Sequence, residues 1–159
     1  MSGAPSLRFE VKAIREQEGL EADLLLRPED HPDPAPGVSA FLAEPASLHL
    51  EFSVGGNSVL LQARLNGLWR LPCSRCLVEH RVPFSREFDE TYPIDQEVID
   101  ASEEVRQALL LEVPPRSLCR PDCRGLCPVC GKNRNETACA CKAEPPSPFE
   151  ALKKIPKRA

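Results

Sequence analysis

Eight cysteines are the residues best equipped for chemistry in this 159-residue chain, and they fall in pairs. Cys73 pairs with Cys76, Cys119 with Cys123, Cys127 with Cys130, and Cys139 with Cys141. A Cys-x-x-Cys turn sets two sulfurs on one side of an ion, and Zn2+ favours four thiolates in a tetrahedron. Cys127-Pro128-Val129-Cys130-Gly131 suits that geometry: proline stiffens the turn, and glycine tolerates the positive φ that lets backbone N–H groups point at the sulfurs. Six cysteines from Cys119 to Cys141 are two too many for one tetrahedral site, and Cys73 with Cys76 are two too few for another. The sum is two complete sites. Closing the shortest loop puts Cys127, Cys130, Cys139 and Cys141 in one, and joins Cys73 and Cys76 to Cys119 and Cys123 in the other. That second site would staple a sheet to the C-terminal knuckle. The expected cofactor is Zn2+, two ions per chain. Three alternatives stay open: a single C-terminal site with Cys73 and Cys76 merely small buried residues, iron in an all-thiolate site, and a redox switch that loses zinc on oxidation.

Little else has the look of catalytic machinery. His31, His49 and His80 are the only histidines, and none sits in a nucleophile or metal motif. His49 and His80 lie in strand-like segments and are expected at the surface or rim. No Gly-rich phosphate loop, nucleophile elbow or paired-carboxylate signature occurs. The expectation is a non-enzymatic protein with no small-molecule substrate. Charge is unevenly spread. Asp89 to Glu104 holds seven acids and no Lys or Arg, whereas Arg116, Arg120, Arg124, Lys132 and Arg134 surround the cysteines with only Asp122 and Glu136 against them. Lys153, Lys154, Lys157 and Arg158 extend the basic character in the tail. The five basic residues are candidates for RNA or partner contact, and the acidic strip for a basic protein; the plainer reading is that the cations offset thiolate charge. Leu118 to Lys142 has no aromatic residue, so backbone or protein contact is more plausible there than base stacking.

The elements that must hold these groups are mostly strands. Leu7, Phe9 and Val11 alternate as in a half-buried strand, while Gly19 to Leu26 is too brief for periodicity to separate strand from helix. Pro28, Pro32, Pro34 and Pro36 predict an irregular surface loop from Arg27 to Gly37. Leu48, Leu50, Phe52 and Val54, then Gly55-Gly56-Asn57, then Val59, Leu61, Ala63 and Leu65 predict a hairpin. Leu68 to Leu71 runs into Cys73, and Val82, Phe84 and Phe88 keep the period of two, giving an antiparallel meander. One helix is predicted from the capping-box-like pair Asp100 and Glu103 and the apolar face of Val105, Ala108, Leu109 and Leu111, with Pro114-Pro115 ending it. The expected fold class is α+β: a small antiparallel β-meander with one main helix and a C-terminal Cys-rich zinc knuckle. Its parts are residues 1–115 as the sheet domain, 116–142 as the zinc-binding module, and 143–159 as a Pro-rich linker and basic tail.

Bulk composition fits a modest core with stiff connections: 42% hydrophobic and 28% charged residues, 17 prolines and 5% aromatics. The formal charge of -4 counts every thiol as neutral, so thiolates around zinc would make the chain more acidic and any nucleic-acid contact must be local. Met1 to Lys12 lacks a basic start followed by an apolar stretch, and no run approaches the roughly 18 apolar residues of a spanning helix. A cytoplasmic chain without a membrane partner is expected. In a reducing compartment, clustered cysteines serve metal or redox chemistry more often than disulfides.

Cys119-Arg-Pro-Asp-Cys123-Arg-Gly-Leu-Cys127-Pro-Val-Cys130-Gly-Lys-Asn133-Arg-Asn135, ending Cys139-Ala-Cys141, resembles the signature of the YceD family of large-ribosomal-subunit RNA accumulation proteins. Leu71-Pro72-Cys73-Ser74-Arg75-Cys76-Leu77, the helix with its double proline, and Pro148-Phe149-Glu150-Ala151-Leu152 are similar too. The likeness runs from about Leu48 onward. One departure is Arg134, where the family commonly has an apolar residue. The resemblance implies a bacterial or organellar factor needed for accumulation of large-subunit (23S) ribosomal RNA; together with the charge layout, the leading expectation is a binding or assembly factor acting on the large-subunit precursor or a basic ribosomal protein. The alternative class is a thiol-based redox or zinc-responsive regulator.

Overall fold

A strand that buries one face must place every second side chain on it, and the middle of this chain does so for three strands running. In the computed structural model, which describes residues 5–29 and 40–141, β4 (Ala46–Gly55) and β5 (Ser58–Pro72) form the expected hairpin around Gly56-Asn57. Leu48, Leu50 and Phe52 are buried from β4, and Val59, Leu61, Ala63, Leu65, Trp69 and Leu71 from β5. β5 pairs along its whole length with β6 (Glu79–Pro93), from Ser58 opposite Pro93 to Pro72 opposite Glu79. On its other side β5 meets β4 and then the short β3 (Phe41–Leu42), and β2 (Gly19–Leu26) extends the sheet beyond β4. All five strands are antiparallel to their neighbours. β1 (Arg8–Glu10) pairs separately with β7 (Val98–Asp100), and the Phe9 ring lies 4.7 Å from that of Phe52, which ties the small ribbon to the main sheet.

The expected α+β class with antiparallel strands is observed, with two differences in detail. The strand read through Leu7, Phe9 and Val11 stops at Glu10, and Val11 instead opens a helix, α1 (Val11–Glu16). Val11 and Ile14, three residues apart, bury one face of it, but six residues are too few for helical periodicity to stand out from the strand pattern. The second helix, α2 (Ser102–Leu111), buries Val105, Ala108 and Leu109 and stops before Pro114-Pro115 as expected, but Leu111, read as part of its apolar face, ends the helix 69% exposed. Its cap differs from the predicted box. Asp100 accepts the Ser102 N–H at 3.1 Å, whereas Glu103 does not reach back and instead accepts from Arg106 and Gln107 further along the helix. Gly19 to Leu26 resolves as a strand.

Among the described residues, no helix is long and apolar enough to cross a membrane. His31 and most of the Pro-rich loop, Lys142, the linker prolines and the basic tail lie outside them.

Candidate metal centres

The strand that carries the core also carries the first sulfur inward. Cys73 has the same parity as Trp69 and Leu71, and its side chain is fully buried. The chain then folds back: the Leu77 N–H donates to the Cys73 carbonyl at 3.0 Å, the Cys73 N–H to the Val78 carbonyl at 2.9 Å, and the Arg75 N–H to Cys73 Sγ at 3.4 Å. Across this turn stand Cys119 and Cys123. Cys73 Sγ lies 3.8 Å from Cys123 Sγ, and Cys76 Sγ lies 3.6 Å from Cys119 Sγ. All four sulfurs fall within 4.8 Å of one another, with Leu118 and Leu126 packed around them.

A second quartet follows: Cys127, Cys130, Cys139 and Cys141 also lie within 4.8 Å of one another. Cys139 Sγ is 3.3 Å from Cys127 Sγ and 3.5 Å from Cys130 Sγ. Bonds of about 2.3 Å from a tetrahedral zinc would hold sulfurs about 3.8 Å apart, whereas a disulfide needs about 2 Å. The observed separations in both quartets fit the former. The quartets are the two the sequence pointed to, and they differ in setting. Cys73, Cys76 and Cys123 are buried, while Cys130 and Cys141 are exposed.

The two Cys-x-x-Cys turns are built alike. Gly131 N–H donates to the Cys127 carbonyl at 2.9 Å, and Cys127 N–H to the Lys132 carbonyl at 2.8 Å, matching the bonds around Cys73 position for position. Gly131 takes φ 71° at the site where the first turn has Leu77 at φ 63°, so the first turn holds a left-handed leucine.

Thiol acidity is split within each quartet. Burial alone would raise the Cys73 pKa, but hydrogen bonds from the Cys119, Cys76 and Arg75 backbones outweigh it and bring the group down to about 5. Backbone N–H groups of Cys130 and Val129 lower Cys127 to about 6. Burial, then its Cys76, Cys123 and Cys73 neighbours, push Cys119 up to about 12, and Cys139 and Cys130 do the same to Cys141. Four sulfurs in contact cannot all ionise without a cation among them, and a dication removes that conflict.

A surrounding layer, absent from the sequence reading, fixes the quartets. Asn135 Nδ2 donates to Cys123 Sγ at 3.3 Å, and Asn135 Oδ1 accepts the Arg124 N–H at 2.8 Å. Arg75 donates through a guanidinium nitrogen to the Cys123 carbonyl at 2.9 Å, and its own carbonyl accepts the Leu126 N–H at 3.0 Å. His80, expected as a rim group, is instead half-buried: its Nε2 lies 2.6 Å from Ser117 Oγ, and Ser117 exchanges backbone and hydroxyl hydrogen bonds with Ser74. His49 is nearer to expectation, partly exposed and 2.8 Å from Asp23. The only sequence signal for this layer was Asn133 and Asn135 within the cysteine motif.

Arg116, Arg120, Arg124, Lys132 and Arg134 are all exposed around the quartets, with Arg120 paired to Asp122 at 3.6 Å. Arg134 points to solvent while its N–H donates to the Gly125 carbonyl at 2.9 Å, so the departure from an apolar residue disturbs no packing. Asp95, Glu97 and Glu103 of the acidic strip are exposed on other elements.

Residues 87–156 match the family described as "Large ribosomal RNA subunit accumulation protein YceD", a span that includes six of the cysteines but begins after Cys73 and Cys76, well short of the likeness read from about Leu48. The chain is 40% identical over 52 residues to "Large ribosomal RNA subunit accumulation protein YCED homolog 1, chloroplastic" of Zea mays, which is 32% of this chain and 18% of that protein. It is 47% identical over 45 residues to uncharacterized proteins of Mycobacterium bovis and Mycobacterium tuberculosis, 28% of this chain and 22% of each. The matched segment thus spans about a fifth of the length of these curated relatives. No solved structure matches the chain at a significant level.

Proposed function

We propose that this chain, with its YceD segment, is a non-enzymatic two-zinc protein that supports accumulation of large-subunit ribosomal RNA by binding a ribosome precursor particle. The observation that carries the reading is the extent of the family match. Residues 87–156 take in six of the eight cysteines and all five exposed basic residues around them. Cys73, Cys76, Cys119 and Cys123 would hold one ion, and Cys127, Cys130, Cys139 and Cys141 the other. The sulfur separations, the buried thiols of the first quartet and the N–H groups aimed at Cys73 and Cys123 support that fit. Zinc, when bound, supplies the cross-links that a loop segment with little apolar core lacks. The protein's own part is to present charge. Arg116, Arg120, Arg124, Lys132 and Arg134 are exposed around the quartets, and the backbones of Arg124 and Arg134 are held by bonds to Asn135 and Gly125, which would fix where their side chains start.

The test is co-sedimentation of the tagged chain with large-subunit precursor particles. Five phosphate contacts to single-stranded RNA give a slope of about -3.5 in log affinity against log salt, roughly 0.7 per contact. Changing Arg120, Arg124 and Arg134 together to Gln should flatten the slope and leave zinc in place. No co-sedimentation at low salt, and normal 23S levels in a strain lacking the protein, would refute the reading. If neutralising Asp95, Glu97 and Glu103 does more damage, a basic ribosomal protein is the partner. The exposed thiols of Cys130 and Cys141 favour one second reading, a zinc-releasing thiol sensor, which predicts reversible loss of that ion alone under mild peroxide.

A further inference from the structure

The outward face of the main sheet is chemically polarised. Residues in register share a face, so Glu21, Glu51, Gln62 and Asp89 form one row across β2, β4, β5 and β6, and Asp23, His49, Arg64 and Glu87 the next. Further along β5 on the same face stands a different row: Phe41, Arg70 and Arg81, from β3, β5 and β6. Eight residues of strand, about 27 Å, separate the acidic row at Gln62 from this one at Arg70. The next row, Pro72 opposite Glu79, leads straight into Cys73.

Two features of the Phe41 row suit a ligand that is both aromatic and anionic. Phe41 is 40% exposed on a two-residue edge strand, with the Arg70 guanidinium 5.9 Å from its ring centroid. Arg70 and Arg81 are directly opposite each other, a placement that sets like charges about 5 Å apart at Cβ and destabilises a bare sheet. Among the described residues, Glu79 offsets them in part, 3.8 Å from Arg70. Among the described residues Arg81 forms no ion pair. A part-exposed aromatic ring with one guanidinium over it, and a second guanidinium across the next strand, is the chemistry that stacks a nucleobase on the remaining ring surface and takes its flanking phosphates at the side. The carboxylates at the far end of the same face repel a polyanion toward this end.

We infer that Phe41, Arg70 and Arg81 form a single-stranded RNA contact, with a base stacked on Phe41 and phosphates bridging the two arginines. The inference rests on the proposed ribosomal role for the identity of the nucleic acid, and supplies the stacking platform that the cysteine segment itself lacks.

The test uses the full zinc-loaded chain and a fluorescent single-stranded oligoribonucleotide of about 12 nucleotides, within the span of one such surface. Phe41→Ala should weaken binding roughly tenfold with the salt slope unchanged, and Phe41→Trp should restore it. Arg81→Gln should flatten the slope by about 0.7. Zinc content and the unfolding midpoint read from Trp69, the single tryptophan, should be those of the parent, since both positions are exposed. Binding of Phe41→Ala and Arg81→Gln equal to the parent overturns the inference. So does displacement of the oligonucleotide by polyglutamate as readily as by polyuridylate, which would mark an acidic protein as the ligand. Co-sedimentation with precursor particles separates the two readings. Retained co-sedimentation with both variants binding RNA normally sinks this inference alone, while lost oligonucleotide binding in a chain that never co-sediments supports it and sinks the ribosomal role.

Discussion

Replacing Gly125 with alanine probes the junction between the two cysteine quartets, because Gly125 lies between Cys123 of the first and Cys127 of the second. It is buried at φ 71°, and a Cβ there would stand 3.0 Å from the Arg75 carbonyl oxygen and 3.3 Å from Arg75 Cβ. That carbonyl accepts the Leu126 N–H at 3.0 Å. Gly131 provides the matched control: it has the same φ of 71°, but among the described residues nothing lies within 4 Å of its would-be Cβ. Left-handed backbone costs an alanine about 1–2 kcal/mol at either place, and the loss of glycine's unfolded-state freedom is common to both and cancels. Only Gly125→Ala must also push the Arg75 carbonyl aside, stretching a hydrogen bond worth about 0.5–1.5 kcal/mol. Gly131→Ala should therefore destabilise by about 1–2 kcal/mol and Gly125→Ala by about 2–3 kcal/mol, a difference of roughly 1 kcal/mol. Urea unfolding in reducing buffer at saturating zinc measures both, and a chromophoric chelator should draw metal faster from the Gly125 variant. Equal losses in the two variants would refute the close approach of the Arg75 backbone to Gly125.

Other perturbations separate the layers of the site. Cys73→Ser should release one ion and expose the join between sheet and cysteine segment to protease, while Cys130→Ser should release the other, since structural zinc contributes on the order of 10 kcal/mol to small motifs; retention of both ions after Cys73→Ser would break the long-range quartet. Ser117→Ala strips the half-buried His80 ring of its 2.6 Å partner and should cost about 1–3 kcal/mol in thermal unfolding with zinc content unchanged; an unaltered melt would mean the contact carries no weight. Arg134→Ile should stay within about 0.5 kcal/mol of the parent, because the side chain is exposed; a larger loss would show packing at that position.

The hairpin was legible because its alternation is long and its turn residues distinctive, and α2 because its apolar face and double proline agree. Cysteine arithmetic was enough to point to the two quartets that the structure brings together. α1 was not legible, since Val11 and Ile14 satisfy a single helical turn and also prolong the strand pattern of Leu7 and Phe9. The pairing of β1 with β7 joins segments some ninety residues apart, and local sequence carries no record of such a meeting. Arg75 and His80 were hidden for the same reason: their partners Cys123 and Ser117 reach them only through folding. The row of Phe41, Arg70 and Arg81 depends on strand register, so three unremarkable residues become neighbours only once β3, β5 and β6 are aligned.

The measurement that bears most directly on the account is zinc K-edge X-ray absorption on freshly purified, reduced protein of known metal content. Two ions per chain, each surrounded by four sulfurs at about 2.3 Å with no nitrogen or oxygen in the nearest shell, is the predicted result. One ion, a mixed sulfur and nitrogen shell, or no bound zinc would contradict it.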